Sequence, residues 1–231
     1  MNEHAPAASP VKVLIVDDQQ LMLRALRVFI DAEEDLVVVG EARNGRAAVE
    51  QCRALRPDVV VMDLQMPVLD GIEATRAITH EHPEVKVLAV TTFHSEDWVI
   101  PALRAGASGY VVKDSEPHEI VGAVRSVLAG EAAISRRVAA TLVRSVVADP
   151  ESAAPRPEDV AAVEGLSARE REVVALLCEG LSNREIAAAL FVSEPTVKSH
   201  LSHILTKMEV RDRVQVVIKA YRTGLVTIPS S

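Results

Sequence analysis

Along the first 130 residues, short apolar runs alternate with stretches of helical period. Residues 11–16, 36–39, 59–63, 85–90 and 109–112 are the runs, rich in β-branched side chains, and they predict strands. Between them, residues 20–32 set Leu21, Leu23, Leu26, Phe29 and Ile30 near helical spacing, and 45–55 gather Ala48, Val49 and Cys52 on one face. Residues 71–79, 98–105 and 116–129 complete five predicted helices. Strands that stay apolar without alternation are covered on both faces. Five of them in turn with five helices predict an α/β domain over residues 11–130, a doubly wound five-stranded parallel sheet. Pro101 interrupts the fourth helix; an interior proline removes a hydrogen bond and costs about 3 kcal/mol, so that helix is expected to start near Ile100 or fray in its first turn.

The pattern then changes. Residues 134–147 place Ile134, Val138, Leu142, Val143 and Val146 on one face, a linker helix that Ser135 is able to cap. Residues 149–159 carry Pro150, Pro155 and Pro157 among alanines and acids and read as a tether, so 131–165 form a connector. From 166 to 231 the period is helical throughout. Ser167 and Glu170, and again Ser182 and Glu185, have the spacing of a capping box. Helices are predicted over 168–179, ended by Gly180, and over 183–190, followed by a turn at 191–193 and a third helix with Ser193 as cap and Pro195 in its first turn. Two helices joined by so short a turn make a helix-turn-helix unit in a small all-α domain.

Composition adds little until it is divided. The chain has 231 residues and a net charge of -8. Residues 1–130 carry twelve lysines and arginines against twenty acids, whereas 166–231 carry nine against seven. An acidic first part and a mildly basic last third indicate two domains with different partners. No apolar run approaches the roughly 20 residues that span a bilayer, and residues 1–10 lack the regions of a secretory signal and read as a leader. Cys52 and Cys178 lie far apart in different predicted helices, so no disulfide is expected and the protein is placed in a reducing cytoplasm.

Candidate chemistry collects at the carboxyl ends of the strands, where open α/β sheets place their sites. Asp17 and Asp18 end the first strand, Asp63 the third, Thr91 the fourth and Lys113 the fifth. One Asp at a strand end is an ordinary turn or cap residue, and one Lys is an ordinary surface residue. Together, three carboxylates repel unless a hard divalent cation neutralises them; Mg²⁺ suits few carboxylates plus phosphate oxygens. Lys113 and Thr91 are then placed to hold the remaining oxygens, and Asp63 is the candidate nucleophile of an aspartyl phosphate.

With these residues, followed by Met66-Pro67, Asp70-Gly71 and Ala105-Gly106-Ala107, the first domain resembles the receiver domain of two-component response regulators. The resemblance implies that Asp63 accepts phosphate from a sensor histidine kinase. It implies Mg²⁺ ligation by Asp18, Asp63 and the Gln65 backbone carbonyl, with Asp17 acting through water. It also implies that Thr91 moves toward the phosphate and that Tyr110 reorients with it. Gln19 stands where relatives often carry histidine.

In the last domain, Val197, Leu201, Ile204, Leu205 and Met208 share the inward face of the third helix. Pro195, Ser199, Ser202, His203 and Thr206 lie opposite, flanked by Thr196 and Lys198, a polar surface with few charges of the kind that reads base edges. Ser193 and Thr196 are candidates for phosphate contacts, and Arg184, Lys198 and Lys207 add positive charge. Spacing alone leaves a protein-binding helical bundle equally open. Leu166-Ser167, Arg169-Glu170, Gly180, Ser182-Asn183, Glu185-Ile186-Ala187, Ser193, Thr196-Val197-Lys198 and His200 resemble the LuxR-type DNA-binding domain. That resemblance implies base contacts by Lys198, Ser199 and Ser202, and dimerisation on double-stranded DNA through Val214, Val217, Ile218 and Tyr221. Ser202 stands where some relatives carry a basic residue.

The reading is a response regulator of the NarL/FixJ type, a homodimer when active, bound to a two-fold symmetric promoter site. Two rival readings stand against it. An aspartate-nucleophile phosphohydrolase usually needs a carboxylate two residues after the nucleophile, and that position is Gln65. A LuxR-type sensor of small ligands needs a lined pocket, which 3% aromatic residues do not suggest.

Overall fold

The computed structural model describes residues 9–92, 96–131 and 157–226. Residues 1–8 of the leader, the linker helix expected over 134–147 and most of the tether lie outside the described residues. Strands β1 (Val11–Val16), β2 (Leu36–Ala42), β3 (Val59–Asp63), β4 (Lys86–Thr91) and β5 (Gly109–Val112) form one parallel sheet in the order β2-β1-β3-β4-β5. Helices α1 (Gln20–Asp31), α2 (Gly45–Leu55), α3 (Gly71–Glu81), α4 (Glu96–Arg104) and α5 (Pro117–Leu128) alternate with the strands.

Successive strand residues feed opposite apolar layers, as a period of two requires. Val13, Ile15, Val59, Val61, Leu88 and Val90 pack with Leu23, Leu26 and Ile30 of α1 and Ile120 and Val124 of α5. Leu14, Val16, Val60, Met62 and Val87 pack with Ala48 and Cys52 of α2 and Ala74 and Ile78 of α3. Each such side chain contributes about 1.5–3 kcal/mol when fully buried. Because the chain leaves β1 outward to β2 and returns to β3 on the other side, a crevice opens at the carboxyl ends of β1 and β3.

Two elements differ from expectation. Pro101 neither delays nor ends α4, which begins at Glu96 and runs through it to Arg104. Val99, Ile100 and Leu103 are buried, and that packing outweighs the lost hydrogen bond. The end of the tether is also helical: α6 (Pro157–Glu164) starts on a proline, and Val163 is buried with Leu166 in the core of the last domain.

That core is closed by α7 (Ala168–Cys178), α8 (Asn183–Leu190), α9 (Glu194–Lys207) and α10 (Arg213–Arg222). Both capping boxes form, at Ser167 with Glu170 and at Ser182 with Glu185. Gly180 takes a φ of 79°, the left-handed conformation that ends α7. The turn from α8 to α9 passes through Phe191, at a φ of 54°, to the Ser193 cap, whose side chain accepts from the Thr196 amide. Val197, Leu201, Ile204 and Met208 are buried and Leu205 half-buried, the inward face expected. The apolar cluster of this domain is continuous with Val99, Ile100 and Leu103 of α4.

Candidate functional site

The sheet brings together the five residues expected at its carboxyl edge from four strand ends. Asp63, the last residue of β3, and Asp17, immediately after β1, are both buried. Lys113 follows β5, and its Nζ lies 2.6 Å from Asp17 Oδ2 and 2.9 Å from Asp63 Oδ2. The Gln19 amide donates to Asp17 Oδ1 at 2.9 Å and the Gln65 amide to Asp63 Oδ1 at 3.3 Å. Thr91, buried at the end of β4, accepts the Lys113 amide on its carbonyl at 2.7 Å, which ties the fourth and fifth strand ends together. Tyr110 sits opposite Ala89 in the β4–β5 register and is half-buried.

Burial raises the pKa of Asp63 above the usual carboxylate range, and the nearby Lys113 only partly offsets this. For Lys113, burial works downward, but the bonds to Asp17 and Asp63 outweigh it and its pKa is raised. Asp18 is exposed, and one oxygen from each of Asp17, Asp18 and Asp63 lies within 4.8 Å of the others. One ammonium against three carboxylates leaves negative charge that a hard divalent cation with oxygen ligands neutralises. The donor set therefore fits Mg²⁺.

Two supporting glycines carried no sequence argument for their roles. A Cβ on Gly71 would stand 1.9 Å from the Asp63 carbonyl oxygen, so only glycine lets α3 begin directly beneath β3. Asp70 caps that helix by accepting the Glu73 amide at 2.8 Å. Gly45, at the start of α2, donates its amide to the Leu69 carbonyl at 2.9 Å and holds the β3–α3 loop; a Cβ there would meet that same oxygen at 2.6 Å. The Asp70-Gly71 pair was a visible signal, but the close approach that requires it was not.

In the second domain, Ser193, Thr196, Lys198, Ser199, Ser202, His203 and Thr206 are exposed along α9, and Arg184 is exposed on α8. Lys207 is committed elsewhere, to Glu170 at 2.7 Å. Lys198 pairs at 2.7 Å with Glu131, just beyond α5 of the first domain. Val214, Val217 and Ile218 are buried within this chain, and Tyr221 is half-buried.

A sheet of order 2-1-3-4-5 with this pocket, joined to a helix-turn-helix domain, defines a phosphoacceptor module coupled to a DNA-binding one. Residues 13–125 match the family described as response regulator receiver domain, and 164–220 that described as bacterial regulatory proteins, luxR family. The chain is 38% identical over 216 residues to the transcriptional regulatory protein LiaR of Bacillus subtilis strain 168, covering 94% of this chain and 99% of that one. It is 36% identical, over the same shares, to the response regulator protein VraR of Staphylococcus aureus. A solved two-component response regulator of the LuxR family from Aurantimonas sp. SI85-9A1 is similar at 36% identity and a TM-score of 0.54, covering 60% of this chain and 99% of that chain. The chain belongs to the response regulators that join a receiver domain to a LuxR-type DNA-binding domain, which are transcription regulators and not enzymes. Among the described residues, no helix is long and apolar enough to cross a membrane.

Proposed function

We propose that Asp63 takes a phosphoryl group from a sensor histidine kinase in the cytoplasm and thereby switches binding of α9 to promoter DNA. An Asp63 carboxylate oxygen attacks phosphorus, the bond from phosphorus to the donor imidazole nitrogen breaks, and the electron pair stays on that nitrogen. Asp18, Asp63 and the Gln65 carbonyl would hold Mg²⁺, with Asp17 acting through water, and the ion would supply charge neutralisation. Lys113 turns from bridging two carboxylates to facing the phosphoryl oxygens. Thr91 moves toward them, and Tyr110 follows. Gln65 offers no acid or base for hydrolysis, so the phosphoryl group persists long enough to signal.

The observation that carries this reading is the shared Lys113 ammonium between buried Asp17 and Asp63, beside exposed Asp18. On DNA, Lys198, Ser199 and Ser202 read bases, with Ser193, Thr196, Arg184 and His203 at the rim. Once α10 is released from the receiver, a homodimer forms through its freed face on a two-fold symmetric site.

Incubation with Mg²⁺ and a small phosphodonor, read by intact mass, tests the first half. Wild type is expected to gain one phosphoryl group and Asp63→Asn none; identical behaviour of the two overturns the mechanism.

A further inference from the structure

The turn between α8 and α9 carries an aromatic side chain that the fold does not use. Phe191 is 96% exposed. Leu190 and Val192 on either side of it pack on the apolar cluster of the domain, while the Phe191 ring lies in solvent. Its backbone is left-handed, at a φ of 54°. The Phe191 amide donates to the Ala188 carbonyl at 3.4 Å and the Val192 amide to the Ala187 carbonyl at 3.0 Å, a helix ending that suits glycine or asparagine. The same pair of bonds closes α4, α5, α7 and α10 on Gly106, Gly130, Gly180 and Gly224, and α9 on exposed Glu209. Of these helices and α8, only α8 sets an aromatic ring at that position. A bulky residue in this conformation is strained, and an exposed ring returns nothing to the core.

What the ring faces follows from its place. Phe191 stands two residues before Ser193, the cap of α9, whose Oγ lies 2.8 Å from Thr196 Oγ1. Ser193, Thr196, Lys198 and Ser199 are all exposed, so the ring borders the polar face of α9. In a helix-turn-helix the first helix crosses the nucleic-acid backbone and the second enters the groove, which puts the turn between them at the groove wall. Residues 190–193 carry no charge and Glu194 follows them, so this turn does not hold a phosphate by charge. The nearest guanidinium, that of Arg169, is occupied by the Leu190 carbonyl and by Glu172, each at 2.7 Å. The apolar surface that a duplex offers at its wall is the C–H face of deoxyribose.

Resting on the reading of α9 as the DNA reader, we propose that Phe191 is a sequence-independent DNA contact whose ring packs on a deoxyribose at the groove wall, beside the phosphates that Ser193 and Thr196 approach. The ring is buried only on DNA, so the strain it carries in the free protein is offset there. It has no charge and displaces no counterion, so it adds affinity without adding to the salt dependence. It touches no base edge, so it adds the same affinity for every sequence.

The test uses the full phosphorylated chain carrying Phe191→Asn, a change that suits the left-handed backbone, with Phe191→Tyr as the variant that keeps the ring. The probes are a duplex selected from a random-sequence pool by phosphorylated wild type and an unrelated duplex of the same length, each titrated over a range of salt. Phe191→Asn is expected to melt no lower than wild type. It is expected to bind both duplexes about tenfold more weakly, as loss of about half the burial of a phenylalanine implies. The slope of log K against log salt stays at its wild-type value, and Phe191→Tyr binds within about twofold of wild type. A lower melting temperature in Phe191→Asn returns the ring to the fold, and a slope smaller by about 1 makes the turn a phosphate contact; either overturns the proposal. Binding by Phe191→Tyr as weak as by Phe191→Asn overturns it too. Wild-type affinity in Phe191→Asn overturns it and leaves the ring to a protein partner. If phosphorylated wild type binds neither duplex, the DNA-reading assignment of α9 fails, and the proposal falls with it.

Discussion

Replacing Gly71 with alanine tests the claim that Asp63 is positioned from beneath by α3. The added Cβ would lie 1.9 Å from the Asp63 carbonyl oxygen and 2.8 Å from the Asp63 carbonyl carbon and Leu64 Cα. All three atoms are backbone, so no side chain can swing away. Carbon and oxygen rest at about 3.3 Å or more even in weak C–H···O contacts, so β3 and α3 must part by more than about 1 Å. Overpacking of this sort costs about 1–3 kcal/mol, and the 3.1 Å bond from the Gly71 amide to the Leu64 carbonyl is strained with it. A displacement of about 1 Å at a reacting group is worth about a hundredfold in rate. Gly71→Ala is therefore expected to melt earlier and to phosphorylate from a small phosphodonor about a hundredfold more slowly. The control is Gly122→Ala on α5, where an added Cβ meets nothing within 4 Å. That change is expected to stabilise by about 0.5–1 kcal/mol, the helix propensity of alanine over glycine, with no change in phosphorylation. If Gly71→Ala melts and reacts like wild type, the close approach does not position Asp63.

Lys207→Met leaves the buried Glu170 carboxylate without its cation and is expected to destabilise the DNA-binding domain by about 1–3 kcal/mol, measured by denaturant unfolding. Burial alone would raise the pKa of Glu170, but Lys207 and Ser167 outweigh it and hold the carboxyl below its usual range. The stability it contributes is full above its unfolded pKa of about 4.3 and is lost as pH falls through the folded value, so the variant and wild type should converge in acid. Lys198→Ala in the phosphorylated chain is expected to weaken duplex binding and to lower the slope of log K against log salt by about 1; unchanged affinity at physiological salt would remove Lys198 from the DNA face.

The sheet and its pocket were legible because each signal is local. An apolar run ends at a carboxylate, a hydroxyl or a lysine, and the parallel architecture carries those ends to one edge. Helix starts were legible for the same reason: Ser167, Ser182 and Ser193 cap through amides three residues away. Pro101 was misread because propensity was weighed without the burial of Val99, Ile100 and Leu103 around it. The first-turn position of Pro157, followed by two acids, is itself a helix-start signal, yet three prolines in eight residues made it read as tether. The joining of Ser108 to Asp212 and of Lys86 to Arg211 spans more than a hundred residues and leaves no mark on either segment alone.

Charge division acquires a structural sense from those long-range contacts. A net charge of -8 is a poor endowment for a DNA-binding chain, but the excess acid lies in residues 1–130, outside the reading domain. One further acid, Glu131 just beyond α5, pairs with the ammonium of Lys198 on α9. The pair is weak by itself: its side chains are 50% and 31% exposed, and exposed pairs are worth about 0–1 kcal/mol and fade with salt. It cannot hold the domains together. The buried Ser108–Asp212–Arg211 contacts are not screened in that way. Raising salt should therefore loosen Lys198 from Glu131 while the buried contacts hold, and the emission of Trp98, half-buried on α4 against the shared apolar cluster, should not follow salt in the wild-type chain.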